Sequence, residues 1–266
     1  MAKSEHISLV TTLLSKKSQY GSIYFTSCIV DDVKIEVATY DANSKLKMYG
    51  AKKPSKRESV TKDQLTHHTI STYPDAYWQQ LGYWNVVSID PGIVNCGIRI
   101  ERRYLATGAV ETLHMDRKQF DSNASHIYSR FMEWLNSYSE IFKQSHIFIV
   151  ERQLPDNYQS TRVSQHIITQ ILLMTVGSGS EIQPLVVEID PKAKYKQLGA
   201  PTNLNKVALK QWGTAYAKEI LKSRSDLETI RYIEGMRGSS NQKKQDDLCD
   251  TIVQIEAFFA IWYSQG

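Results

Sequence analysis

The pattern of apolar and polar residues along this chain changes character near residue 85. Upstream, residues 22–30 (SIYFTSCIV) and 33–40 (VKIEVATY) carry the β-branched and aromatic side chains of strands. They are joined around Asp31-Asp32 and predict a hairpin. A basic polar stretch at 52–62 (KKPSKRESVTK in outline) predicts an exposed loop, and the aromatic cluster Tyr73, Tyr77, Trp78, Tyr83 and Trp84 follows it. Such a cluster can stack on bases, but packing against a neighbouring domain is the favoured reading. Downstream, short wholly apolar runs alternate with helical periodicity. Residues 86–90 (VVSID), 147–151 (IFIVE) and 184–189 (PLVVEI) predict buried strands, and two further strands are predicted at 95–102 and 104–114 around a turn at Arg102-Arg103. Helices are predicted over 124–143, 161–176, 204–222 and 245–263. Three antiparallel-type strands followed by alternating helices and strands predict an α/β sheet covered on both faces. The chain accordingly divides into an N-terminal extension, 1–84, and a domain, 85–266.

Composition narrows the class. The 266 residues are 41% hydrophobic and 23% charged, which excludes wholesale disorder. No apolar run approaches the roughly 18 residues of a membrane-spanning helix, so no membrane partner is expected. Cys28, Cys96 and Cys249 are odd in number and widely spaced. They make no zinc motif and no disulfide framework, which points to an intracellular, reducing compartment without separating a viral replication site, nucleus or mitochondrion. Residues 7–14 are apolar but lack the features of a secretory signal. A poorly packed leader or a first helix is preferred to a mitochondrial address, although residues 6–30 contain no acid.

Candidate chemistry lies at the ends of the buried strands. Asp90 and Glu151 each close an apolar run, the position where α/β sheets place their sites. Either acid alone reads equally as a turn or cap, and Asp90-Pro91-Gly92 is itself a turn signal. The stretch 243–251 (KKQDDLCDT) opens the last helix and changes that balance. Asp247 and Asp250 stand three residues apart and Asp246 and Asp250 four apart, and either spacing places its pair of carboxylates on one helical face. Capping accounts for Asp246 or Asp247 but not for Asp250, which borders the apolar stripe of Leu248, Ile252, Ile255 and Phe259. Carboxylates brought together repel unless a cation neutralises them. Oxygen donors of this kind suit Mg²⁺ or Mn²⁺, and two such ions can drive in-line attack of water on a phosphodiester.

Taken in order, SIDPGIVNCGI at 88–98, IVERQ at 149–153 and KKQDDLCDT at 243–251 resemble the RuvC-type Holliday junction resolvases, most closely the versions in poxviruses, other large DNA viruses and fungal mitochondria. The resemblance covers 85–266 only. It implies a ribonuclease H-like fold, with a mixed five-stranded sheet and helices on both faces. It implies a homodimer that cuts four-way junction DNA with two Mg²⁺ or Mn²⁺ ions per site, leaving a 5′-phosphate. Asp90, Glu151, Asp247 and Asp250 fall on the family's acidic tetrad, with Asp246 as the alternative to Asp247.

Residues 191–218 hold six lysines, no arginine and no acid, a one-sidedness that phosphate binding requires. The resemblance implies a basic residue after the third buried strand, matched best by Lys196 with Lys194 competing. Lys196 is expected to stabilise the scissile phosphate and Lys206 to contact the backbone. Lys210 belongs either to this surface or to a solvated helix face. Arg152, Gln153, Tyr158 and Arg162, after Glu151, and Arg237, Lys243 and Lys244, before the last acids, complete the candidate DNA contacts. The apolar helix at 161–176 reads as a dimer interface or as core. Rival readings are a nuclease acting on RNA–DNA hybrid or structured RNA, a nucleotide-binding phosphotransferase suggested by the Asp-Pro-Gly turn, and a non-catalytic junction binder.

Overall fold

A computed structural model describes residues 23–30, 33–40, 65–69, 80–120, 126–154, 157–176, 182–236 and 243–263. The chain divides into two compact units. In the first, β1 (Ile23–Val30) and β2 (Val33–Tyr40) form an antiparallel pair with Val30 opposite Val33, the hairpin that their composition predicts.

The second unit, Val60–Trp262, carries the candidate chemistry. Its strands are β3 (Thr66–His67), β4 (Tyr83–Asp90), β5 (Asn95–Tyr104), β6 (Val110–Gln119), β7 (Ile147–Glu151) and β8 (Leu185–Ile189). Its helices are α1 (Ile127–Asn136), α2 (Ser139–Lys143), α3 (Tyr158–Thr175), α4 (Pro191–Gln197), α5 (Lys206–Ser223), α6 (Leu227–Gly235) and α7 (Lys243–Tyr263). The six strands run in the order β3-β8-β7-β4-β5-β6. The pairs β4–β7 and β7–β8 are parallel, and the others are antiparallel.

The sheet has six strands where five were expected, because Thr66 and His67 pair with Glu188 and Val187 on the outer edge of β8. Two residues are too few to leave a periodic signal. The expected turn at Arg102-Arg103 also moves. Both arginines lie inside β5; the chain reverses at 105–109, where Gly108 supplies a φ of 67°, and β6 continues to Gln119. The helix expected over 124–143 is two helices, broken where the Ser137 hydroxyl donates to the Trp134 carbonyl at 2.6 Å.

Side-chain parity sorts the core into two layers. Val87, Phe148 and Val150 face α1 and α3, packing with Phe131, Trp134, Val163, Ile167 and Ile171. Val86, Ile147 and Ile149 face the opposite side, with Trp212, Ile230, Leu248, Ile252 and Phe258 from α5, α6 and α7. Trp84 belongs to this second layer, stacked at 5.6 Å on Phe259 of α7, so this member of the aromatic cluster packs within its own unit. Tyr73, Tyr77 and Trp78 lie outside the described residues. The apolar stripe of α3 is core, while Leu173 and Val176 lie exposed on its other face.

A balanced charge network fastens β5 beneath α7. Glu101, fully buried, accepts from Arg99 at 2.7 Å and from Arg103 at 2.6 Å. Arg103 and Arg224 both reach Glu256 of α7, and Arg99 lies 3.8 Å from Asp226. Burial alone raises a carboxyl, but these arginines overcome it and hold Glu101 far below the carboxylate range. Within this network three arginines stand against three acids.

Candidate functional site

Parity also decides where the strand-end acids point. Asp90 follows Val86 and Ser88 at intervals of two, and Glu151 follows Ile147 and Ile149, so both belong to the face that packs on α7. The parallel register sets Ile89 beside Val150, and its continuation sets Asp90 beside Glu151. Helix α7 is held against these strand ends by Gln254. Its amide donates to the carbonyls of Ile89 at 3.2 Å and Ile149 at 3.1 Å, immediately below the two acids. One turn earlier on the same helix stands Asp250.

Gly97 permits this approach. A Cβ at that position would lie 2.7 Å from the Asp247 carbonyl oxygen, so only glycine lets the first turn of α7 lie this close to β5. Gly92, in the turn after Asp90, is equally restricted, since its Cβ would meet the Asn95 carbonyl oxygen.

Asp90, Glu151, Asp247 and Asp250 therefore share one rim. The Asp90 carboxylate makes no hydrogen bond among the described residues, although its backbone belongs to the β4–β5 ladder opposite Gly97. Burial first, then the negative fields of Glu151 and Asp250, push its carboxyl well above the usual range. Glu151 is raised too, again by burial, with Lys194 opposing. Asp247 is raised by burial against the pull of Arg117.

The doubled aspartate separates cleanly. Asp247 turns to β5 and β6, where the Arg117 guanidinium donates to it at 3.0 Å. Asp246 turns to α5, accepting from Thr214 at 3.3 Å and lying 3.5 Å from Lys210. Asp247 is among the charges that act on Asp90.

The lysine at the acids is Lys194, not Lys196. Asp190 caps α4, accepting from the backbone of Lys192 at 2.7 Å, and Pro191 fills the first helical position. The resulting phase buries Lys194 and Tyr195 and exposes Lys192 and Lys196. The Lys194 ammonium donates to Glu151 and, at 3.0 Å, to Asp250, while the Tyr195 hydroxyl donates to Asp250 at 2.7 Å. Burial pulls an ammonium down, but Asp250 and Glu151 outweigh it and hold Lys194 well above its ordinary value.

The other predicted contacts lie farther out. Lys206 is exposed at the start of α5, whose cap is Asn205. Arg152 donates to Thr66 of β3, and the Gln153 side chain turns back to the Glu151 carbonyl at 3.4 Å. Tyr158 is 66% exposed, with Arg162 between it and Tyr128, 5.5 and 5.0 Å from the two ring centres. Arg237 lies outside the described residues, as do the side chains of Lys243 and Lys244. Arg117 was not predicted; it falls beyond the expected end of its strand.

Among the described residues, no three acids, histidines or cysteines already form a coordination cage. The donor chemistry nevertheless fits a hard divalent cation. The groups are all carboxylates on rigid elements, and one cationic side chain already bridges two of them. Asp90, Glu151, Asp247 and Asp250 are the residues that would hold such an ion.

Mixed sheet, two helical layers and a carboxylate rim thus define the class of site. No family model matches the chain. It is 29% identical over 129 residues to the uncharacterized protein 97L of Invertebrate iridescent virus 3, covering 48% of this chain and 55% of that protein. It is 22% identical over 154 residues to the uncharacterized protein 170L of Invertebrate iridescent virus 6, covering 52% and 60%. The chain spans little more than half the length of these curated relatives. Among solved structures it is similar to the yeast mitochondrial Holliday junction resolvase, with 15% identity, a TM-score of 0.46, and 68% of this chain and 80% of that one covered. Thermus thermophilus RuvC gives 13%, 0.44, 67% and 97%, and the fowlpox virus Holliday junction resolvase gives 14%, 0.40, 66% and 96%.

Proposed function

We propose that this chain is a metal-dependent endonuclease that resolves four-way DNA junctions. The observation that carries the reading is the convergence of Asp90, Glu151, Asp247 and Asp250 on one rim, with a buried lysine between two of them. Mg²⁺ or Mn²⁺ bound there supplies an activated water and stabilisation of the leaving oxygen. The four acids are carried on two strand ends and one helix, rigid elements that fix where their carboxylates stand. Lys194 presents its ammonium to the non-bridging oxygens of the scissile phosphate, where negative charge grows. Water adds to phosphorus, the 3′-oxygen departs and takes up a proton, and a 5′-phosphate remains. Lys196, Lys206, Lys210, Arg152 and Arg162 track the backbone from outside, and Tyr158 offers an exposed ring for stacking.

The choice of a four-way junction rests on the resemblance of the three motifs. Paired cuts in such a substrate call for two active sites, hence a homodimer. Cys96 and Cys249 are free and buried, in keeping with a reducing intracellular compartment. Among the described residues no helix is long and apolar enough to cross a membrane. The test is cleavage of a labelled four-way junction, a linear duplex of the same sequence and an RNA–DNA hybrid, each with Mg²⁺, Mn²⁺ or EDTA. Metal-dependent paired nicks in the junction alone support the proposal. Preferential cutting of the hybrid would replace the substrate, and inertness on all three would overturn the reading.

A further inference from the structure

Arg117 is a charged group at the rim to which the sequence motifs assign no role. It stands on β6 opposite Gly97 in the β5–β6 register. Because Gly97 carries no side chain, the guanidinium crosses above it to α7. There it donates to Asp247 at 3.0 Å and to the Asn95 side chain. Arg117 is only 7% exposed, and its partner Asp247 is 19% exposed. This is therefore a largely desolvated pair, unlike the exposed ion pairs of helix surfaces.

The rim is thereby divided in two. Lys194 compensates Glu151 and Asp250, and Arg117 compensates Asp247. Asp90 alone has no hydrogen-bonded cation among the described residues. Four carboxylates against two cationic side chains leave a formal charge of −2, which one divalent ion cancels. A second ion has to enter against Arg117. A phosphate changes that balance, because the planar guanidinium fork binds its oxygens in the same two-pronged way as a carboxylate.

We propose that Arg117 is a positioning residue and built-in counter-ion. It holds Asp247 in the absence of DNA and keeps the second cation position weak until a backbone phosphate draws the guanidinium away. The proposal rests on the metal-dependent reading above and adds an order of events: one ion first, then DNA and the second ion together.

The test is Mn²⁺ binding to the full chain, followed by electron paramagnetic resonance of the free ion, without and with a non-cleavable phosphorothioate junction. Wild type should bind one ion tightly without DNA and two with it. Arg117→Gln keeps a hydrogen-bond donor at Asp247 but removes the charge, and it should tighten the second site about tenfold or more without DNA. Arg117→Lys keeps the charge and should stay near wild type. Melting curves check that both variants fold. A merely structural arginine would lower both melting temperatures and leave the isotherms superimposed, overturning the proposal. Two equivalent ions in wild type without DNA would also overturn it. Failure of wild type to bind any Mn²⁺, with or without junction, would instead remove the metal-dependent reading on which it stands.

Discussion

Replacing Lys194 by methionine removes the ammonium that bridges Glu151 and Asp250 while keeping most of the side chain's volume. Lys194 is 1% exposed, so its loss leaves two buried carboxylates facing each other without that counter-ion. Breaking a buried pair from one side costs about 3–5 kcal/mol. Part of that is relieved because Glu151, already raised by burial, can take up a proton. A net loss of roughly 2–4 kcal/mol follows in EDTA, or about 5–15 °C in melting temperature for a unit of this size. A divalent cation should then stabilise the variant more than wild type, since it replaces the missing charge without first displacing a lysine. At an ion concentration about 100 times its dissociation constant, that linkage is worth about 2.7 kcal/mol. Differential scanning calorimetry of both proteins, with EDTA and across a Mn²⁺ titration, measures both effects. Junction cleavage by the variant should fall by about 100-fold or more even at saturating metal, because the donor to the phosphate is gone. A variant that melts within a degree of wild type in EDTA, with the same response to Mn²⁺, would refute the reasoning that Lys194 acts as the internal cation of this rim.

Two further consequences reach beyond the acids. Gly97→Ala forces α7 outward against the 2.7 Å contact at the Asp247 carbonyl; we expect a loss of about 1–3 kcal/mol in urea unfolding and a drop in cleavage larger than that loss explains, whereas Gly108→Ala, with open space around it, should spare cleavage. Burial, aided by Arg102, pulls His146 down to about 4, and its Nδ1 accepts from the Asn85 backbone at 3.0 Å. The unfolded histidine protonates below about 6.5 while the folded one resists until about 4, so acid favours unfolding and stability rises with pH between those values, by up to roughly 3 kcal/mol. Urea midpoints measured from pH 4.5 to 7 should show that rise in wild type and a flatter one in His146→Asn; identical slopes would contradict it.

The strands that carry the acids were legible because β4 and β7 are buried on both faces, and a short apolar run ending in a carboxylate is what such a strand leaves in sequence. Their convergence was legible only in combination with the last helix. Which of Asp246 and Asp247 faces the sheet depends on the phase of α7, and adjacent aspartates carry no signal of phase. The stretch KAKYKQL hides Lys194 in the same way, since it places lysines on every side of a short helix. A trace was present nonetheless: Tyr195 and Leu198, both buried, are three residues apart, and Lys194 adjoins that stripe. Arg117 left no trace, because its contact with Asp247 spans 130 residues and depends on the absence of a side chain at Gly97. β3 was invisible for a different reason: its two residues are held by the edge of β8 and by His68, which pairs with Glu188 at 3.0 Å, not by any pattern of their own.

The central claim is that carboxylates from two strand ends and one helix act together on a phosphodiester, and Asp90→Asn and Glu151→Gln test it most directly. Each keeps the shape of its side chain and removes one charge. Gel-shift and single-turnover cleavage on the same four-way junction with Mg²⁺ should show binding within a few-fold of wild type and cleavage reduced to background. Cleavage by either variant at the wild-type rate would contradict the account.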